Sequence, residues 1–474
     1  MHQSVRVRGS LTARLADLKD PLLVLPPELF IKIMEHARLP NAAHTHDFSR
    51  IGFHYPITLA HVCRKWREVT VGAPMLWTNI HIFKRYAGGE KELANVHLHL
   101  SKECRLSITW FSFAMNSKDP EVQEVVDNLI IPSANRLQMI TLFTWDEVTA
   151  GTLLARMEPI GFPKLQDVEI FGVPQPLKRR PTSCLNAALL RRCKLTGAPF
   201  LPPLPSNLVI LSLARSLNLD PLLEFLPEVA HSLEHLEFNP STSDAPITPP
   251  KNKTLLQNLK SLLVSGSYAI TNYINTPELT YFSASYPGLD QVPQKVSEMF
   301  NRFSAPKLQS ILFYKIPLLP LLASHNLPSM FPKLESVVFI RCIDESGFLP
   351  LLEPPHPPQH LVGNPLPNLK VLTISQMENW PSLLAVIERR LKNGGKSLRK
   401  ILRPGEVVPD EAIAKRLPGI ELVELALSEG NPLAEFAPPE FLESSFNEDN
   451  CLYSEICREV EEEYGGDEDV EMND

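Results

Sequence analysis

Leu308-x-x-Ile311-x-Phe313, followed 26 residues later by Leu334-x-x-Val337-x-Phe339, sets the pattern on which the fold turns. The spacing inside each run predicts a short strand with its apolar side chains directed inward. Upstream it recurs at Leu137-x-x-Ile140-x-Leu142, Leu165-x-x-Val168-x-Ile170, Leu208-x-x-Leu211-x-Leu213, Leu233-x-x-Leu236-x-Phe238, Leu259-x-x-Leu262-x-Val264 and Leu279-x-x-Phe282-x-Ala284. Downstream it returns at Leu369-x-x-Leu372-x-Ile374. Starts at 208, 233, 259, 279, 308 and 334 lie 25, 26, 20, 29 and 26 apart, the period of a leucine-rich repeat. One such strand cannot remove its apolar side from water, but a stack of them can. The predicted fold class is therefore α/β, a leucine-rich-repeat-like solenoid with a curved parallel sheet.

Proline is the compositional outlier, 45 of 474 residues against 20 glycines, nearly twice its usual share of about 5%. In Phe162-Pro163-Lys164, Ala305-Pro306-Lys307, Phe331-Pro332-Lys333 and Leu366-Pro367-Asn368 it sits two residues before a strand's first Leu. There it is expected to stop the preceding segment and set an extended lead-in. Cys193, after Leu185-x-x-Ala188-x-Leu190, and Cys342, after Phe339, fall where such repeats bury an Asn or Cys behind the strand, so both read as structural. The array weakens at Leu398-x-x-Ile401-x-Arg403 and is expected to end through Leu422-x-x-Leu425-x-Leu427. Residues between the inward positions face the concave side: Phe171, Ile210, Ser212, Ser261, Ser265, Tyr281, Ser283, Tyr314, Ile340, Thr373 and Ser375. That face is short of charge and suits a neutral or mixed protein surface, with Phe171, Tyr281 and Tyr314 as candidate client contacts. A phosphorylated peptide calls for an Arg cluster instead.

The amino-terminal stretch has a different period. Pro26 and Pro27 suit a first helical turn, Glu28 complements the dipole there, and Leu29, Phe30, Ile33 and Ala37 recur at helical spacing. Leu59, Val62, Cys63, Trp66 and Val69 predict one face of a second helix, with Arg64, Lys65 and Arg67 turned away. So few residues cannot enclose Trp66, Trp77 and these aliphatics alone, and a partner surface is expected. In order, Leu25-Pro26-Pro27-Glu28-Leu29, Val62-Cys63-Arg64-Lys65-Trp66 and Pro74-Met75-Leu76-Trp77 resemble an F-box, over residues 22–82. The resemblance implies docking on the Skp-type adaptor of a cullin–RING (SCF-type) ubiquitin ligase. It places Leu25, Pro26, Leu29, Ile33, Val62, Trp66 and Trp77 in or behind the adaptor-facing surface. The stretch Asn41 to Pro56 departs from the pattern as an insertion. An F-box ahead of an irregular, proline-punctuated leucine-rich array is similar to the expanded F-box families of mushroom-forming fungi.

The expected organisation is a disordered leader at 1–21, the F-box at 22–82, a capping α/β joint at 83–135, the solenoid at 136–430 and an acidic, disordered tail at 431–474. In the joint, Glu90 to Lys102 predicts a helix, Leu106 to Trp110 a strand, and Asp119-Pro120-Glu121 a second helix start. From Glu435 to Asp474 fifteen acids face a lone Arg458, a net −14, so with the whole chain at −8 the remainder carries +6. Seven cysteines without a C-x-x-C pair argue for a reducing, cytoplasmic or nuclear compartment. No apolar run is long enough to span a membrane.

Other motifs read as bland. Gly394-Gly395-Lys396-Ser397 carries the end of a phosphate loop, but Arg390 stands where its first Gly belongs, and the segment follows a helix at Leu383 to Leu391. A glycine helix stop fits better. His44, His46, Asp47 and His54 lack metal-ligand spacing, and Lys178-Arg179-Arg180-Pro181 with Arg191, Arg192 and Lys194 lacks the aromatics of a nucleic-acid patch, so solvated loops are expected. The expectation is a non-enzymatic substrate receptor with no catalytic residue, metal or cofactor, whose partners are the adaptor, through it a cullin, and a client protein, with no nucleic acid or membrane. The alternative is a leucine-rich scaffold that uses its F-box without assembling a ligase.

Overall fold

The repeated runs do form strands, because each inward side chain finds its counterpart one strand along. The computed structural model describes residues 25–37, 55–82, 89–112, 120–144, 156–157, 159–172, 186–196, 205–214, 219–240, 253–266, 268–285, 305–316, 330–342, 352, 366–375, 380–392, 398–403, 416–417 and 419–424. The leader, residues 41–54 of the insertion, Lys178 to Pro181, Gly394 to Ser397 and the acidic tail lie outside these.

The strands are β1 Asn79–Ile82, β2 Leu106–Ser112, β3 Leu137–Thr144, β4 Asp167–Gly172, β5 Arg192–Thr196, β6 Ile210–Ala214, β7 His235–Asn239, β8 Thr254–Leu255, β9 Ser261–Ser265, β10 Ile274–Asn275, β11 Tyr281–Ser285, β12 Ser310–Tyr314, β13 Ser336–Ile340, β14 Val371–Ile374, β15 Lys400–Arg403 and β16 Glu421–Glu424. Among the described residues the longer helices are α1 Pro27–Ala37, α2 Tyr55–Val62, α3 Arg64–Gly72, α4 Gly89–Leu100, α5 Pro120–Val125, α6 Leu219–Val229 and α7 Trp380–Lys392. Fourteen strands join in one sheet in chain order, β8 and β10 forming a separate pair. Every pairing is parallel, so the chain is α/β with a large, solenoid-like parallel sheet.

The register is the core. Ile140, Val168, Cys193, Leu211, Leu236, Leu262, Phe282, Ile311, Val337, Leu372 and Ile401 fall opposite one another from β3 to β15. All are essentially inaccessible and belong to one continuous cluster. Each contributes about 1.5–3 kcal/mol only if a neighbour covers it, which makes stability a nearest-neighbour property.

The prolines act differently from the expectation. The N–H of each first Leu turns back onto the residue before the proline: Leu165 onto the Phe162 carbonyl at 3.3 Å, and Leu308 onto Ala305, Leu334 onto Phe331 and Leu369 onto Leu366 at 3.1 Å each. Proline thus sits at the second position of a β-turn, where its fixed φ is pre-set, and does not lead in as extended chain. Phe162, Ala305, Phe331 and Leu366 are buried beneath those turns. The same turn forms without proline at Ala187–Leu190 and Leu256–Leu259. Asn207 and Asn368 stitch adjacent turns through their side chains, to the carbonyls of Ala188 at 2.7 Å and Pro332 at 2.8 Å. Arg390 of α7, fully buried, donates from Nη2 to the Leu366 carbonyl, fixing that helix to a turn. The segment expected as a helix at Leu383 to Leu391 lies within α7.

Three expectations about boundaries are corrected. Cys193 lies within β5, in the inward row, so the local unit is Leu190-x-x-Cys193-x-Leu195, five residues beyond the Leu185 frame. The last described strand begins at Glu421, with Leu422 opposite Ile401 in register, so Leu422 stands at the second position of the repeat, not the first. A single second helix does not form: Cys63, extended at φ −158° and ψ 173°, separates α2 from α3. The joint supplies a helix, α4, and a strand, β2, where the sequence placed them, with β2 next to β1 at the edge of the main sheet. Cys342, by contrast, is buried just past β13 as expected, its thiol 3.3 Å from the Phe313 carbonyl.

Candidate functional site

The amino-terminal helices form their own small core. Pro27 opens α1 at no hydrogen-bonding cost, and the Pro26 carbonyl accepts from Leu29 and Phe30 at 3.1 Å each. Phe30, Met34, Leu59, Ala73, Leu76 and Trp77 make up the buried cluster, with Trp66 and Val69 packed against it. The Trp66 ring meets Phe30 edge-on at 4.8 Å, and the Trp66 backbone N–H reaches the Cys63 sulfur at 3.5 Å. The Tyr55 hydroxyl donates to the Met34 carbonyl at 2.6 Å, tying α2 to α1.

This core divides the seven predicted docking residues. Leu29 and Ile33, one turn apart on α1, are 49% and 47% exposed, and Val62 at the end of α2 is 56% exposed. Pro26 is exposed, and Leu25 and Trp66 are half-buried. Trp77 is the exception. At 2% exposure it lies in the core, with its indole N–H on the Thr70 carbonyl at 2.8 Å and its ring edge-on to His97 at 5.1 Å. Of the two places expected for it, in or behind an adaptor-facing surface, only the second is compatible with this burial. Only one face of α1 is needed to enclose the core, which leaves Leu29 and Ile33 outside.

The second surface is the concave face. One row across it runs Thr141, Glu169, Lys194, Ser212, Glu237, Leu263, Ser283, Leu312, Val338 and Thr373. Its first half is polar: Thr141 donates to Glu169 at 3.4 Å, Ser212 donates to Glu237, and in the next row Arg192 pairs with Asp167 at 3.4 Å. Arg192 and Lys194 are therefore strand residues on this face, not part of a solvated loop; Lys178 to Pro181 lie outside the described residues. Thr141, Lys194, Ser212 and Glu237 of the first half are buried, as is the second half, which is more apolar though interrupted by Ser283 and Thr373. Leu263, Tyr281, Leu312, Tyr314, Val338 and Ile340 form a separate buried cluster. Tyr281 and Tyr314 are 7% and 4% exposed, so the expectation that they present a client-binding surface is corrected. Alternation tells which face a residue takes and not whether that face is covered. Phe171 remains half-buried.

Burial sets the chemistry of the two faces. Loss of water around Cys193, and secondarily the Glu169 carboxylate, push its thiol up from 9.0 to about 12. Burial likewise raises the Tyr281 phenol, with a small opposing effect from the Ser283 hydroxyl. These protons are held more tightly in the folded chain than in the unfolded one. The resulting stabilisation is complete below about pH 9 and is lost as pH climbs toward about 12. Denaturant midpoints should accordingly fall as pH rises above about 9. Cys193→Ala should flatten part of that slope; an unchanged slope in the variant contradicts the assignment.

Among the described residues no group of three or more His, Cys, Asp and Glu is placed to hold a metal ion, and no helix is long and apolar enough to cross a membrane. His44, His46, Asp47 and His54 lie outside them. No family model and no curated protein matches the chain. Among solved structures, the crystal structure of a protein from Bacteroides fragilis is 14% identical, aligning 69% of this chain with 76% of its own at a TM-score of 0.30.

Proposed function

We propose that the chain is the substrate-recognition subunit of a cullin–RING (SCF-type) ubiquitin ligase, docking on a Skp-type adaptor through α1 to α3 and holding a client protein on its sheet. The observation that carries this reading is the division of α1: Phe30 and Met34 complete the module's own core while Leu29 and Ile33 stay outside it. An exposed apolar stripe on a helix that already has a core calls for a partner. The order of Leu25 to Leu29, Val62 to Trp66 and Pro74 to Trp77, which resembles that of an F-box, supports a Skp-type adaptor as that partner. Catalysis in this reading is proximity: other subunits transfer ubiquitin, and this chain contributes effective concentration and no reacting group. It acts in the cytoplasm, the nucleus or both.

Co-expression with a Skp-type adaptor and a cullin tests it. The expected result is one complex of all three on size exclusion, and loss of the adaptor when Leu25, Pro26 and Trp66 are replaced together by Ala. Retention of the adaptor by that variant refutes docking. Adaptor binding without cullin replaces the ligase reading by that of a leucine-rich scaffold.

A further inference from the structure

Six residues of the concave face close on one another apart from the main core: Leu263 on β9, Tyr281 on β11, Leu312 and Tyr314 on β12, Val338 and Ile340 on β13. Leu312 and Ile340 are 0% exposed and Val338 1%. Among the described elements, their strands pack most closely on neighbouring strands of the sheet. Side chains stand perpendicular to a sheet, so a neighbouring strand flanks them and leaves their outer ends open. Complete burial therefore calls for a cover laid across the cluster from outside the sheet.

Three observations choose that cover. The connections between strands turn the other way: Ile316 and Cys342, directly after β12 and β13, and Leu352 belong to the core cluster behind the sheet. The chain beyond β16, by contrast, leaves from this end of the sheet, with β12 four strands away. That gap is roughly 20 Å at about 4.8 Å per strand, and the stretch from Leu425 to Leu433 reaches about 30 Å when extended. From there Leu433, Phe436, Phe441, Leu442 and Phe446 offer large apolar side chains, while Pro432, Pro438 and Pro439 disfavour a helix.

Charge points to the same segment. Lys315 and Arg341 stand opposite each other just past the Tyr314–Ile340 pair, both on left-handed backbone at φ 54° and 52°. The Lys315 ammonium lies over the Tyr314 ring at 5.0 Å, and Arg341 Nη1 donates to the Tyr314 hydroxyl at 3.5 Å. Two cations gathered at one corner of the cluster favour an acidic cover. Glu435, Glu440 and Glu443 are set among the apolar residues of 433–446, whereas the amino-terminal leader carries Arg6, Arg8 and Arg14.

We infer that the chain's own carboxy-terminal segment, Leu433 to Phe446, docks on the Leu263–Ile340 cluster with its phenylalanines on the apolar side chains and its glutamates toward Lys315 and Arg341. The contact is a self-interaction and needs no adaptor. Only its consequence rests on the reading of the sheet as a client surface: a client using this half of the face must first displace the segment.

The test is photo-crosslinking in the full-length chain. Ser310, half-buried and in register with Tyr281 at the cluster's margin, is replaced by benzoylphenylalanine, and the crosslinked peptides are mapped by mass spectrometry. The expected result is a crosslink within one chain to residues 431–449. Phe436→Ser with Phe441→Ser should cut its yield roughly tenfold or more, the scale of losing two buried apolar anchors, and should raise binding of a dye that reports exposed apolar surface. Lys315→Glu with Arg341→Glu should cut it less, by roughly threefold, as expected for partly exposed charges. Crosslinks to another stretch of the chain or to a second copy, no crosslink, or an undiminished yield in the phenylalanine variant overturns the inference. Adaptor binding, measured on the same proteins by size exclusion, is expected to be unchanged, so failure here and failure of the docking reading are told apart.

Discussion

Replacing Leu29 and Ile33 together by Asp is expected to abolish adaptor binding while shifting the melting temperature by about 2 °C or less. Both side chains are roughly half exposed, on the outer side of α1, so their loss removes little of the module's own packing. On docking each becomes a buried apolar contact near the centre of an interface, where truncation costs about 2 kcal/mol or more. Two such losses, with two carboxylates forced against an apolar partner, amount to roughly a thousandfold in Kd. Calorimetry with purified adaptor measures it. A change below tenfold shows that this stripe is not the docking face.

Trp77→Ala should act by the opposite route, costing about 3–5 kcal/mol of folding stability. The ring fills the module core at 2% exposure, and its N–H serves the Thr70 carbonyl at 2.8 Å. Removing it leaves a cavity and takes from the Thr70 carbonyl one of two donors, the Ala73 N–H at 3.2 Å remaining, a further loss of about 1 kcal/mol. Trp77→Phe retains most of the volume and should lose about 1–2 kcal/mol, chiefly the donor. Denaturant unfolding of the amino-terminal module separates the two variants. Any loss of adaptor binding in Trp77→Ala should recover on cooling, because it follows unfolding, whereas that of the Leu29, Ile33 variant should not. A cost below about 1 kcal/mol for Trp77→Ala would contradict the core assignment.

What the sequence revealed follows from where physics is local. The runs from Leu137 to Ile374 were legible because a strand with three inward apolar positions writes its spacing directly into the chain. At Leu185 the same spacing misled: two overlapping frames share Leu190, and only the register of Cys193 between Val168 and Leu211 chooses between them. The break at Cys63 was hidden because Leu59, Val62, Trp66 and Val69 keep helical spacing across it. Its cause is a capping sulfur that spacing does not encode. For the docking residues, periodicity found the apolar positions on α1 but could not say which of Leu29, Phe30, Ile33 and Met34 faced inward. That depends on α2, α3 and the turn carrying Trp77. Covering of the concave face was beyond reach for a similar reason.

Strand order in the main sheet is chain order, from β1 to β16. The sheet can therefore be laid down during synthesis, each run of about 25 residues meeting a completed edge as it emerges, within a few seconds at about 5–20 residues per second. Because β1 follows directly on the turn that carries Trp77, the amino-terminal helices hold the first template strand. Growth then needs no distant segment to arrive, and the ribosome itself sets the pace and direction of folding.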